Sequence, residues 1–331
     1  MLSLISRNLI IASALLCLSA TKIAAAPSFG ELLGWKPDEV VVILHVDDVG
    51  MSHSSNLGAI QAIEEGVGSS FAIMMPCPWV PEIAAYLRKH PEVDSGLHLT
   101  LTSEWTPYRW PPLAGPRVPG LIDPEGCLWS SVAQVITQAT PDEIDREIRA
   151  QLARARKLNI PITHLDSHMG TLFARPDYFE KYVTLGVENQ IPILVAGGHL
   201  THTKVENPGA AGRLMQWIPK IWDAGLPVID DLHTGTYGWK PEEKEAKLIE
   251  LLSSLKPGIT EILFHASDPS DVFPLITGSS ASRKADLESL LSAKVRQTIS
   301  NRGIQVTTWK ELMKRRKALG KTPLTTLQAR Q

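Results

Sequence analysis

Short apolar runs rich in β-branched residues recur along the chain, with amphipathic stretches between them. They fall at Val40–Val46, Ser69–Met75, Val93–Leu101, Ile162–Asp166, Ile191–Val195, Pro227–Ile229, Glu261–His265 and Ile304–Thr307, and lengths of this order suit strands. The stretches between them have a helical period. In PDEIDREIRAQLARARKLNI, Ile144, Ile148, Leu152 and Ala155 return on one face after a Pro141–Asp142 start. Further helices are predicted over Asn56–Glu65, Pro81–Lys89, Asp177–Asn189, Pro241–Leu255 and Arg283–Asn301. This alternation implies a parallel α/β sheet. Eight candidate strands in one chain of this length favour a single-domain (β/α) barrel, irregular or incomplete, over an open doubly wound sheet. No Gly-rich dinucleotide fingerprint or phosphate loop follows the first run. The Pro- and Trp-rich stretch SEWTPYRWPPLAGPRVPGLIDPEG reads as a long loop placed to serve as a lid or substrate platform. The basic segment from Lys314 onward reads as a frayed end.

The N-terminus changes this picture. Arg7 precedes an apolar run from Leu9 to Leu18 and then small residues up to Ala26, the layout of a secretory signal peptide. The run is shorter than the roughly 20 residues a spanning helix needs. The expectation is a leader over residues 1–26, a domain over 27–320 and a tail over 321–331, in an exported protein that is periplasmic or extracellular and has no stable membrane span. With 33 basic and 35 acidic residues the formal charge is −2, so no general basic field exists to hold nucleic acid or an anionic membrane. Cys77 and Cys127 would remain after leader removal, in a compartment that permits a disulfide. Their spacing suits no zinc ribbon, and whether they pair stays open.

The candidate chemistry sits at the ends of the predicted strands. In ILHVDDVG, Asp47 and Asp48 close an apolar run. Two adjacent carboxylates in a poorly solvated place require a cation or a retained proton, unless they cap the helix that begins near Ser54. In SGLHLTLT the leucines alternate with His98, Thr100 and Thr102, which turns His98 away from the leucine face. In THLDSHMG the same period puts His164, Asp166 and His168 on one side, a carboxylate between imidazoles that could orient a ligand. His265 ends EILFHAS. In a parallel barrel these strand ends converge on one rim.

Taken together, VDDVGMSHSSNLGAI, SGLHLTLT, THLDSHMG and EILFHAS resemble, in order and content, the YdjC-like carbohydrate deacetylase family, relatives of chitooligosaccharide deacetylase. The resemblance covers most of the chain beyond the leader. It implies a metal-dependent hydrolase that removes acetyl groups from N-acetylated amino sugars or oligosaccharides. A divalent metal would be held by Asp48, His98 and His168, with Asp47 as general base, and His265 is the candidate acid for the departing amine. Two imidazoles and a carboxylate suit zinc or iron, while the resemblance also allows magnesium, so the expected cofactor is a divalent ion, Mg2+ or Zn2+. The chain departs from the family where Met169 to Leu172 stand in place of further histidines, and where Ala266 and Ser267 follow His265 instead of Pro-Gly. Two alternatives remain at this stage: an exported glycan-binding protein without turnover, and a metal-dependent hydrolase of another amide or a phosphate ester. Trp105, Tyr108 and Trp110 either pack on sugar faces or anchor their loop. Arg175 either meets a phosphate or braces a helix. The oligomeric state stays open.

Overall fold

The computed structural model describes residues 26–320 and 322–328. The leader expected over residues 1–26 lies, apart from Ala26, outside the described residues. The first strand, β1 (Val40–Val49), is buried at every position, as a central parallel strand covered on both faces should be. It pairs along one edge with β6 (Gly258–Phe264), from Val40↔Gly258 to Val46↔Phe264. Along the other edge its start meets β7 (Gln305–Val306) and its end meets β2 (Ser70–Ile73). The sheet continues in parallel from β2 to β3 (Ser95–Leu99) and β4 (Leu165–Ser167), and on the far side from β6 to β5 (Asp231–His233).

Single bridges carry the circuit between β4 and β5: Leu165 pairs with Ile193, and Ala196 pairs with Ile229 just ahead of β5. The result is the expected irregular (β/α) barrel. The predicted strand Ile191–Val195 exists only as bridging backbone. Of the predicted Pro227–Ile229 only Ile229 makes a bridge, and the strand itself, β5, lies two residues later, beginning at Asp231, where Asp230 and Asp231 are both buried. Each is held by backbone donors: Asp230 accepts from the amides of Phe29, Gly30 and Ile259, and Asp231 from those of His202 and Thr203.

Helices cover the barrel much as their periods predict. Pro141–Lys157 opens with a capping box between Thr140 and Glu143 and buries Ile144, Ile148, Leu152 and Ala155. His53–Glu64 lies so close to the chain after β6 that a Cβ on Gly58 would fall 2.5 Å from the Ser267 Cα. Glycine there is a packing requirement, and it fixes the segment that follows His265. The helix predicted over Arg283–Asn301 is two, Ser280–Leu291 and Ala293–Asn301. The break is at Ser292, whose hydroxyl accepts from the amides of Lys294 and Val295. The segment from Lys314 to Ala318 is helical, not frayed, within Trp309–Ala318. Arg316 there is fully buried and donates to the Trp222 carbonyl. Cys77 and Cys127 are free thiols. Among the described residues no helix is long and apolar enough to cross a membrane.

Candidate active site

In a regular strand Asp47 and Asp48 would point to opposite faces. At this point β1 is irregular. Val46 pairs with Phe71 and Val49 with Ile73, so β1 carries one residue more than β2 over the same span, and Asp48 adopts a left-handed φ of 64°. Such an insertion is a β-bulge, in a backbone region that aspartate tolerates better than most residues. The bulge brings both carboxylates to one place. Asp47 Oδ1 lies 3.5 Å from His98 Nδ1, and Asp48 Oδ1 lies 3.4 Å from His98 Nε2. Neither carboxylate caps the next helix. Ser52 does, accepting from the Ser55 amide at 3.0 Å.

Asp48, His98 and His168 converge on one place. His168 Nδ1 stands 3.2 Å from Asp48 Oδ1, and one donor atom from each of the three residues falls within 4.8 Å of the others. Each imidazole is fixed by a carboxylate behind it. His98 Nδ1 donates to Asp166 Oδ1 at 2.7 Å, and His168 Nε2 donates to Glu104 Oε2 at 3.1 Å. The nitrogens left over face Asp48, the orientation seen when outer carboxylates aim histidine ligands. Asp48 Oδ1 is buried yet accepts no hydrogen bond. The other oxygen, Oδ2, meets Arg283 Nη2 at 2.7 Å.

Charge in the cluster is dense and nearly dry. Burial works against ionising Asp48, but the Arg283 guanidinium and His168 hold its carboxyl well below the usual range. Burial likewise opposes a charge on His168, yet Glu104 and Asp48 raise it to about 10. His98 is raised against its burial by Asp166 and Asp47. Deeper in the barrel, His45 is fully buried, its Nε2 3.1 Å from Asp166 Oδ2 and 3.2 Å from Asp47 Oδ1, its Nδ1 3.4 Å from Glu261 Oε1. Burial would lower its pKa, but Asp166 and Asp47 lift it well above the ordinary value. Burial pushes Glu261 up to about 8. His45 thus serves as an internal cation beneath Asp47 and Asp166.

His265 reaches the cluster from the end of β6, with Nε2 3.8 Å from Asp47 Oδ2. Its amide donates to Asp286 Oδ2 and its ring meets Tyr237 edge-on. Burial lowers its pKa. His164 shares the predicted face of Asp166 but stacks on Trp309. Met169, at φ 51°, turns the chain outward and is half exposed where the family's further histidines would stand. Arg175 braces its helix by pairing with Asp177 and the Ile136 carbonyl. Trp110 is buried with its Nε1 donating to the Thr102 carbonyl, so it anchors the loop and offers no face to a sugar. Trp105 packs over Arg283 on a half-buried rim.

Three contributors escaped the sequence reading. Glu104 and Arg283 carry no signal beyond their residue type, because a loop after β3 and a helix after β6 bring them in. His45 did carry a signal, since it stands two residues before Asp47 on the same strand face.

The family described as YdjC-like protein matches residues 41–301. The chain is 30% identical over 261 residues to a Thermus thermophilus protein named carbohydrate deacetylase, covering 78% of this chain and 89% of that one. It is 25% identical over 269 residues to a carbohydrate deacetylase of Thermoanaerobacter pseudethanolicus, covering 81% and 97%. A chitooligosaccharide deacetylase of Serratia marcescens is 34% identical over 133 residues, 39% of this chain and 49% of that one. A solved structure from Enterococcus faecalis V583 shares the fold, with a TM-score of 0.69 at 23% identity, covering 83% of this chain and 99% of that one. The match runs from β1 through the helix that ends at Asn301 and contains both carboxylates and both imidazoles of the cluster: this chain belongs to the YdjC-like protein family.

Proposed function

We propose that the protein is a metal-dependent hydrolase that removes acetyl groups from N-acetylated amino sugars or oligosaccharides. The relatives named carbohydrate deacetylase support the substrate class. The observation that carries the reading is Asp48 Oδ1, buried and without a hydrogen bond, faced by one nitrogen each of His98 and His168. This donor set fits a divalent cation such as zinc, and magnesium is the other candidate. When bound, such an ion supplies Lewis acidity toward an acyl oxygen and makes a water molecule more acidic.

The protein's own groups account for the proton movements. Asp47 takes the proton of the attacking water as general base. Its Oδ1 is buried and accepts no hydrogen bond, so a lone pair is available. Beneath it His45 Nε2 stands 3.2 Å from that oxygen. His265, kept neutral by burial, stands 3.8 Å from Asp47 Oδ2. A shift of about 1 Å would bring the pair within hydrogen-bonding reach. His265 could then receive the proton and deliver it to the departing amine. Arg283 introduces a cation that a phosphate ester would also favour, with Nη2 engaged by Asp48 and Nη1 without a partner, so the test includes phosphate release.

The test is hydrolysis by chelator-stripped protein incubated with chitooligosaccharides, before and after metal is restored, with acetate, free amine and inorganic phosphate all measured. Equal release of acetate and amine, only with metal, is expected. Binding without either product would overturn the reading. From the order of its N-terminal residues we place the protein outside the cytoplasm. N-terminal sequencing of the secreted or periplasmic product should begin near residue 27.

A further inference from the structure

A second cluster of ligand-type side chains lies at the end of β5, sharing no residue with the first. His202 and Glu206 stand four apart in sequence, at the two ends of one helical turn that spans Thr203–Glu206, and that spacing presents both on one face. His233, the last residue of β5, meets them from the barrel side. Its Nδ1 lies 2.5 Å from Glu206 Oε1, and its ring centroid is 5.1 Å from that of His202, at 78°. One donor atom from each of the three falls within 4.8 Å of the others.

The surroundings are those of a built site. His233 is 6% exposed, and neither of its ring nitrogens makes a hydrogen bond of acceptable geometry. Glu206 is aimed by its second oxygen, which accepts from the Thr234 amide at 2.6 Å and hydroxyl at 2.9 Å. The turn carrying His202 is pinned by Asp231, which accepts from the His202 amide at 2.8 Å and from the Thr203 amide at 3.1 Å. Trp239 packs against the His233 ring at 5.4 Å. Gly235 leaves the space clear, since a Cβ there would lie 3.1 Å from His233 Cε1 and 3.2 Å from Glu206 Oε1. His202 is half-buried, which leaves an entry from solvent.

We propose that His202, Glu206 and His233 form a second cation site, selective for a zinc-class transition ion. Two imidazole nitrogens and one carboxylate oxygen match that class and not the all-oxygen preference of calcium or magnesium. Three protein ligands leave a position for water on the open side. The ion would clamp the turn at residues 202–206 to the end of β5.

Zinc per chain decides the matter, read by atomic emission after chelator stripping, zinc dialysis and removal of free metal. The unaltered protein should hold about two equivalents, and His202→Gln about one. Because His202 is half-buried and its backbone is held by Asp231, this variant should keep its circular dichroism spectrum. In His98→Ala/His168→Ala, about one equivalent should remain, and cobalt in its place should give visible ligand-field absorption that His202→Gln abolishes. Zinc content unchanged by both His202→Gln and Glu206→Gln would overturn the proposal. An unaltered protein holding about one equivalent that His202→Gln removes would support this site while counting against the Asp48 site, so the two readings fail separately.

Discussion

Asp48 is where the backbone departs from regularity, and the departure explains the paired carboxylates. A left-handed residue inside a bulge lets neighbours that should face apart share one polar end of the barrel. Under the proposed function the two carboxylates have different tasks, which one variant should separate. Asp47→Asn should lower kcat by about 10²- to 10⁴-fold while equilibrium dialysis shows metal retained; loss of metal in this variant would instead make Asp47 a ligand. His45 gives a prediction in pH. Its folded pKa lies well above the ordinary value, so its stabilisation is full below about pH 6.5 and is lost as pH rises through the folded value. Glu261, at about 8, adds to the same decline, because above its unfolded pKa it keeps a proton only in the folded chain. Urea midpoints of the metal-free protein should therefore fall from pH 6 toward pH 10, less steeply in His45→Gln. Parallel profiles would remove His45 from the account. At this scale the sequence was legible where chemistry was local. Adjacent aspartates and histidines alternating with leucines could be read directly, whereas Glu104 and Arg283 acquire meaning only from partners that the fold supplies.

Among the elements, the helix Pro141–Lys157 does more than cover the sheet. Its apolar face was readable from spacing, but Glu143, Glu147 and Gln151, which look like a solvated face, are buried. Each holds the long loop after β3: Glu143 accepts from Gly120, Glu147 from Leu113 and Ala114, and Gln151 bonds both the amide and the carbonyl of Thr100. That loop carries Glu104 to His168. Glu147→Ala leaves two amides without partners and should cost about 2 to 4 kcal/mol by urea unfolding. It should also weaken metal binding in calorimetry, through displacement of Glu104. Unchanged metal affinity alongside the stability loss would show the loop to be held elsewhere. Trp110→Ala should cost about 3 to 5 kcal/mol, as for other buried aromatics. After β6 one helix, Ser280–Leu291, places Arg283 on Asp48 and Asp286 on the His265 amide. A spacing of three residues on a helix was visible in the sequence, but which groups it would meet was not.

The whole molecule is a barrel that closes unevenly. Long runs such as β1 were legible because a strand buried on both faces must be apolar throughout. The stretch between β4 and β5 was not, since there the circuit rests on single bridges and on buried carboxylates that took the place of apolar residues. Asp230 shows why: three backbone amides converge on it and tie Phe29 and Gly30 to the start of β6. A charged residue in that role is indistinguishable in sequence from one in a loop. The barrel's use is to bring Asp48 on β1, His98 on β3 and His168, just past the end of β4, into one group. Anomalous diffraction from a zinc-soaked crystal tests that most directly. A peak at bonding distance from Asp48 Oδ1, His98 Nε2 and His168 Nδ1 is the expected result. No density there at full zinc saturation, with Arg283 still the partner of Asp48, would contradict the account.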